Sequence, residues 1–266
     1  MRQVRSPSRW IWILPVVATA FIAGCDTALE AINTQGTWGF LTVSAQKSAA
    51  GAHFADAEGL FFKGNLAAVP NADFTNDTCA DVVLSEGNNL VGVTYLDAGP
   101  NVATSLGTLD RTTTAEGIAY LPASPLGFTP GDSIVVTVTG VSGGFPGGSI
   151  RAKTAEAFTF PTDIPIPAGT EAIQLTWDGP QDPRSAMIVS LRYETVTNPG
   201  VLTRNVLCTF IDDGVDSIPF RWHQNWSSSS GARAVVATRL RTNYVAAGDG
   251  NLGVISTYQV PTPPKP

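Results

Sequence analysis

The chain has 266 residues, of which 43% are hydrophobic and only 14% are charged. An average soluble domain carries about a quarter charged residues, so a charge-rich disordered chain and a long solvated coiled coil are both excluded. The length is sufficient for one or two globular cores. The formal net charge of −6 argues against a nucleic-acid partner.

Residues 1–24 are typical of a secretory signal peptide. Arg2, Arg5 and Arg9 precede an apolar run over residues 10–23. A basic start, a short hydrophobic centre and small residues at the end are the parts of such a signal. The run is shorter than the roughly 20 residues that a transmembrane helix needs, and no second such run follows, so a polytopic membrane protein is excluded.

The signal ends in Ile22-Ala23-Gly24-Cys25, which resembles the lipobox of bacterial lipoproteins. The resemblance covers residues 1–25 and implies that Cys25 is diacylated and becomes the first residue of the mature protein. Because each buried CH₂ contributes about 0.8 kcal/mol, two or three acyl chains anchor a protein stably. We therefore expect a lipid-anchored protein that faces the periplasm or the cell surface. The alternative is an ordinary cleaved signal peptide.

Residues 25–37 are predicted to be the lipidated cysteine and a polar tether. Beyond them, apolar and polar residues alternate, which indicates half-buried antiparallel strands. The clearest strands are 133–139, 173–177 and 187–193. Weaker candidates are 38–44, 59–63, 80–84, 90–96, 117–121, 201–211, 232–240 and 253–260.

Clusters of Gly, Pro, Asn and Asp separate these segments at short intervals. Short strands with such turns predict an all-β fold, an antiparallel sandwich of the immunoglobulin-like type. The strands outnumber the about seven of one such unit, so we divide the mature chain into two sandwich domains, 38–160 and 161–260. The Gly- and Pro-rich stretches 142–149 and 160–169 bracket the boundary. Residues 261–266 are predicted to be a disordered tail, and one large sandwich is the alternative.

Part of the second half has a recognisable pattern. It consists of Leu175-Thr176-Trp177, the alternating strand 187–193, and Leu207-Cys208-Thr209-Phe210-Ile211-Asp212-Asp213-Gly214, and it ends at Ile218-Pro219. This stretch is similar to lipid-anchored β-sandwich proteins of environmental bacteria. The resemblance implies an architecture and carries no activity.

If Cys25 is acylated, Cys79 and Cys208 remain as an even pair in an oxidising compartment. We predict a disulfide between them, which would stabilise the fold by about 4 to 5 kcal/mol in the chain-entropy model. The alternative is two separate buried thiols, one in each domain, each acting as a small apolar side chain.

Three carboxylates, those of Asp212, Asp213 and Asp216, surround Gly214. Oxygen ligands arranged in this way are a weak candidate for a Ca²⁺ site, but the spacing is not that of an EF-hand, and a complete site needs about six to eight oxygens. We therefore expect a solvated turn whose Asp side chains cap backbone N–H groups, with no metal and no cofactor.

Trp222 and Trp226 stand four residues apart in a segment, 219–226, that suits a short helix with Ser217 as a candidate cap. If they are exposed, they form a platform for sugar rings and are the candidate ligand-binding residues. If they are buried, they close one end of the sandwich, which is the arrangement we expect.

His53 and His223 lie far apart in the sequence without a neighbouring Cys or second His, so we predict surface histidines and no zinc site.

Arg233, Arg239 and Arg241 share one parity of a predicted strand. We expect them to form a solvated face that pairs with acidic neighbours. The alternative is contact with an anionic lipid surface or polysaccharide.

The sequence contains neither a Gly-x-Ser-x-Gly elbow nor a Ser-x-x-Lys motif, and residues 227–230 are predicted to be a serine-rich loop. We therefore predict a cell-envelope protein with a non-catalytic binding or structural role. Its expected partners are the membrane, through the lipid anchor, and an envelope protein or polysaccharide. The alternative is an envelope carbohydrate-active hydrolase that uses paired carboxylates.

Overall fold

The computed structural model describes residues 35–47, 53–65, 77–83, 93–115, 117–179, 184–195, 202 and 204–262. The predicted signal peptide, Cys25 and the start of the tether lie outside the described residues, as do residues 263–266 of the predicted tail. No helix in the described ranges is long and apolar enough to cross a membrane.

Strands dominate the described chain, with a single helix, α1, before the last two strands. The elements are β1 (Gln35–Lys47), β2 (His53–Asn65), β3 (Thr78–Val83), β4 (Thr94–Tyr95), β5 (Asn101–Thr104), β6 (Gly107–Thr113), β7 (Ile118–Pro122), β8 (Leu126–Gly127), β9 (Ser133–Val138), β10 (Gly148–Lys153), β11 (Ile173–Thr176), β12 (Ala186–Tyr193), β13 (Arg204–Ile211), β14 (Val215–Ile218), α1 (Phe220–Ser228), β15 (Arg233–Ala247) and β16 (Gly250–Pro261). The prediction of an all-β fold is confirmed.

Fourteen of the strands form one sheet. Its hydrogen-bonded order is β10-β9-β5-β6-β7-β2-β1-β16-β15-β12-β13-β3, and β4 and β8 also pair with β2. The remaining strands, β11 and β14, form a separate antiparallel pair. The large sheet therefore includes strands from both sides of the boundary predicted at residues 160 and 161.

The sheet is mixed, because β1 and β16 run parallel. Thr37 lies opposite Gly250, and Gln46 lies opposite Gln259. The prediction of an exclusively antiparallel sheet is wrong at this pair. A parallel pair cannot be joined by a tight hairpin and needs a long connection. Here most of the chain separates the two strands, and alternation within a strand does not reveal which partner it will have.

One face of the long central strands carries the hydrophobic core, and we call it the inner face. The same buried cluster includes side chains of the earlier strands, such as Val102 and Ile134, so one core extends across the predicted boundary. Strand register and burial place on the inner face Leu41, Val43, Ala45, Val254, Tyr258, Arg239, Ala237, Met187, Val189, Cys208 and Phe210.

Gly39 provides space for a large aromatic side chain in this core. It lies opposite Phe61 on β2, and a Cβ atom at Gly39 would lie 2.6 Å from the Phe61 ring. The ring instead packs at 5.3 Å from the Tyr120 ring and at 4.8 Å from the Phe145 ring, measured between centroids. A glycine on β1 thus couples the central strands to β7 and to the loop before β10.

β12 and β13 are buried on both faces, and we call the side opposite the core the outer face. It carries Ile188, Ser190 and Arg192 on β12 and Asn205 and Leu207 on β13. The prediction that residues 187–193 form a half-buried strand is wrong, since seven of the eight residues of β12 are buried. Burial on both faces is typical of the central strands of a large sheet.

The predicted boundary region is packed against the sheet. β10 begins inside the Gly- and Pro-rich stretch 142–149, and the amide of Asn243 on β15 donates to the Lys153 carbonyl oxygen at 3.0 Å. The Ala155 N–H donates to Ser256 Oγ at 2.9 Å. Order also continues beyond residue 260, because the Thr262 N–H donates to the Val235 carbonyl oxygen at 2.8 Å.

We expect the chain to unfold in one cooperative transition, because one sheet and one core extend across residues 160 and 161. Far-ultraviolet circular dichroism and tryptophan fluorescence should give coincident curves during denaturant unfolding. Two separated transitions would contradict this expectation and would support two independently folding domains.

Candidate functional site

The first aspartate of the predicted turn, Asp212, is buried in an ion pair. Its Oδ2 atom accepts from Arg239 Nε at 2.6 Å, and its Oδ1 atom accepts from Arg239 Nη2 at 3.1 Å. Trp177 Nε1 donates to the same Oδ1 atom at 2.7 Å. The prediction of a solvated turn is therefore wrong for Asp212, whose carboxylate is enclosed by a cation and an indole.

Arg239 has further partners. Its side chain is 1% exposed and also donates to the carbonyl oxygens of Ala157 and Asp178. The guanidinium lies 4.9 Å from the centroid of the Phe158 ring. Removing one partner of a buried ion pair costs about 3–5 kcal/mol of stability. The folded state therefore depends on keeping both Asp212 and Arg239.

The predicted solvated arginine face is wrong for two of its three members. Arg239 and Arg241 are buried, and Arg233 is half-buried. The physical reason is that their side of β15 is the inner face, which also carries Val235 and Ala237. The alternative prediction, contact with an anionic lipid surface or polysaccharide, is therefore also wrong for Arg239 and Arg241.

The other two aspartates join a third one in an acidic cluster. Asp77 Oδ1 accepts from the Ile211 N–H at 3.1 Å, Asp213 Oδ1 accepts from the Val215 N–H at 3.3 Å, and the Asp216 carboxylate accepts from the Ser217 N–H. The bonds of Asp213 and Asp216 are the backbone caps that the sequence predicts, whereas the cap supplied by Asp77 is not predicted.

Burial raises the pKa of Asp216 above its ordinary value. The hydrogen bond from the Ser217 N–H lowers the pKa of Asp216, while the neighbouring carboxylates of Asp77 and Asp213 raise it further. In the described ranges, no group of three or more His, Cys, Asp or Glu side chains is arranged to hold a metal ion.

Cys79 and Cys208 form a disulfide, as the sequence predicts. The two residues lie directly opposite each other on β3 and β13, with Cα atoms 4.0 Å apart. The alternative of two separate thiols is wrong. Because β3 is an edge strand of the sheet, the disulfide fixes this edge to its only neighbour in the described sheet.

His223 is buried, so the prediction of a surface histidine is wrong for it. Its Nε2 atom lies 2.9 Å from the Glu171 carbonyl oxygen, which can only accept, so Nε2 carries the proton. In the neutral imidazole, Nδ1 then accepts from the Ser227 hydroxyl group at 2.8 Å. The spacing of four residues within α1 is the signal that could have predicted this pair. Residue 227 is helical, so the prediction of a loop is wrong at that position. His53, the other predicted surface histidine, is half-buried.

Helix α1 forms where the sequence predicts a short helix. Pro219 is its N-cap residue and the helix has no side-chain cap, so the prediction that Ser217 caps it is wrong. Trp226 is 4% exposed and belongs to the core, whereas Trp222 is half-buried at the margin of the core. The guanidinium of Arg233 lies 5.8 Å from the Trp226 ring centroid.

A groove of about 220 Å³ opens beside Trp226, and we call it the α1 groove. Segment 162–166, the start of β15 and Thr262 form its walls. Ile164 and Ile166 provide apolar surface, and Asp163 and Arg233 provide charge. The volume is below the about 300–1,000 Å³ of sites that enclose whole small molecules. The groove therefore has room for one residue of a polymer.

Replacing Asp216 with Asn should stabilise the protein at pH 7. Folding raises the pKa of the Asp216 carboxyl group. The folded protein therefore loses stability as the pH increases from the ordinary pKa of 3.8 through the pKa in the folded state. The uncharged amide of Asn does not titrate, so the variant avoids this loss of stability. Its advantage over the unchanged protein should disappear well below pH 3.8, where the Asp216 carboxyl group is protonated in both the folded and the unfolded state. Thermal unfolding at both pH values measures the effect.

Asp110→Asn, which changes an exposed carboxylate on β6, is the control and should leave the unfolding temperature unchanged at both pH values. Destabilisation of Asp216→Asn at pH 7 would contradict the assigned electrostatics.

The two candidate regions differ in what they can do. The Asp212–Arg239 pair is enclosed, whereas the α1 groove is open and combines apolar and polar side chains. The α1 groove is therefore the candidate binding site. No protein-family model and no curated protein matches the sequence.

Proposed function

We propose that the protein is a lipid-anchored component of the bacterial cell envelope that binds an envelope polysaccharide and does not catalyse a reaction. Ile22-Ala23-Gly24-Cys25 supports the anchor, and the α1 groove is the observation that carries the binding role. For the architecture, either two immunoglobulin-like sandwich domains, 38–160 and 161–260, or one large sandwich is proposed, and the continuous sheet and core favour the single large sandwich.

The chemistry of the α1 groove suits one sugar residue. Ile164 and Ile166 offer apolar surface to the apolar face of a sugar ring, and Arg233 and Asp163 offer polar groups to its hydroxyls. Trp226 lines the groove, and its Nε1 atom has no acceptor in the described part of the chain.

The rival function is an envelope carbohydrate hydrolase, and the acidic cluster is its strongest candidate. The carboxyl groups of Asp77 and Asp216 are neighbours, and the charge of Asp77 raises the pKa of Asp216. Glycosidases hold their two carboxyl groups about 5–5.5 Å or about 6.5–9.5 Å apart, so that a glycosidic bond fits between them. Asp77 and Asp216 instead cap the backbone N–H groups of Ile211 and Ser217, and this structural role of both carboxylates supports the non-catalytic proposal.

The anchor is tested by expressing the full-length chain with Cys25→Ser in a bacterial host. The unchanged protein should carry acyl groups on Cys25 by mass spectrometry and fractionate with membranes, because diacylation gives stable attachment. The Ser variant should lose the acyl groups and remain unprocessed. A mature N-terminus elsewhere without acyl groups would refute the anchor.

Binding is tested with Ile166→Asp in the α1 groove and Val135→Asp on β9 as the matched control. Ile166 is 46% exposed and Val135 is 40% exposed, so neither substitution should disturb the core. Affinity for purified envelope polysaccharides, measured by calorimetry, should fall at least about tenfold only in Ile166→Asp, which puts a charge against the ring. Equal loss in both variants, no saturable binding, or turnover of the polysaccharide would refute the proposal.

A further inference from the structure

Three polar side chains meet on the outer face, away from the α1 groove. Ser190 and Arg192 are two residues apart on β12, so they lie on the same face. Asn205 lies directly opposite Arg192 on β13. Their neighbours are apolar: Ile188 and Leu207 are buried, and so is Ala234, opposite Arg192 on β15.

The hydrogen bonds of these three side chains run in one direction. Arg192 Nε donates to Ser190 Oγ at 3.2 Å, since a guanidinium can only donate. The Ser190 hydroxyl group donates in turn to Asn205 Oδ1 at 2.6 Å. The chain ends at Asn205 Nδ2, which is buried and has no acceptor in the described part of the chain. Asn205 is 1% exposed, so bulk water does not reach its amide N–H groups.

The charge of Arg192 also lacks a counterion in the described part of the chain. Among the described residues, no carboxylate forms an ion pair with Arg192, and burial lowers the pKa of its guanidinium. Glu194, the nearest acidic residue along the chain, has its carboxylate beside Gly231 instead. The contrast is Arg239, whose buried guanidinium has the carboxylate of Asp212. The Arg192 guanidinium is half-buried, so it is partly desolvated without a counter-charge, and an anion would reduce that cost.

We propose that Arg192, Ser190 and Asn205 form a binding site for a compact oxyanion, the carboxylate, sulfate or phosphate group of a ligand. The remaining guanidinium N–H groups and the Asn205 amide N–H groups are the donors, and charge-assisted hydrogen bonds of this kind are the strong ones. Arg192 keeps partial exposure, which gives the anion access. The site goes beyond the proposed polysaccharide binding and does not depend on the α1 groove.

The test titrates the full-length protein in detergent with sodium acetate, sodium sulfate or sodium phosphate against sodium chloride at constant ionic strength. The Arg192 Nε–H resonance should shift saturably with one dissociation constant. Acetate distinguishes a planar carboxylate ligand from the tetrahedral anions. The affinity should fall at least about tenfold in Arg192→Gln and stay unchanged in Arg151→Gln, an exposed arginine on β10.

Asn205→Asp is the second variant, because it supplies a carboxylate beside Arg192 from the protein itself. We expect it to fold, to keep or raise the unfolding temperature in chloride, and to abolish the anion titration. A lack of saturable shift with all three anions, an undiminished titration in Asn205→Asp, or equal changes in Arg192→Gln and Arg151→Gln would overturn the proposal.

Discussion

The Asp212–Arg239 ion pair joins four segments that are distant in the chain. Asp212 follows β13, and Arg239 lies in the middle of β15. Trp177, which directly follows β11, donates to the carboxylate, and the carbonyl oxygen of Ala157 accepts from the guanidinium. Because a desolvated charge tolerates no missing partner, these contacts fix segment 154–160 on β15. The earlier and later strands consequently share one core.

The local pattern of the sequence predicts the strands well, because alternation depends only on neighbouring residues. It does not predict the environment of each face. The apolar residues on the opposite parity of β15 predict that Arg239 and Arg241 face solvent, but Val235 and Ala237 on their own side are apolar too. Both faces of this strand are covered, which depends on partners far away in the chain. Short strands such as β5 and β8 carry too few residues for a period to appear.

The sites show the same division between local and distant information. The disulfide of Cys79 and Cys208 is predictable from parity and compartment, without knowledge of the register. The helix carrying Trp226 is predictable from the spacing of its aromatic residues. The outer-face cluster of Ser190, Arg192 and Asn205 is not, because it forms only when β12 and β13 adopt their observed register. A one-residue slip would place Asn205 on the opposite face.

A double-mutant cycle on Asp212→Asn and Arg239→Met tests most directly whether the ion pair holds the segments together. Denaturant unfolding of the full chain gives the free energies. Each single change should cost about 3–5 kcal/mol, because it leaves a buried partner unpaired. The double variant should lose less than the two losses combined, with a coupling energy of at least about 1.5 kcal/mol. Additive losses, or single changes within about 0.5 kcal/mol of the unchanged protein, would contradict this account.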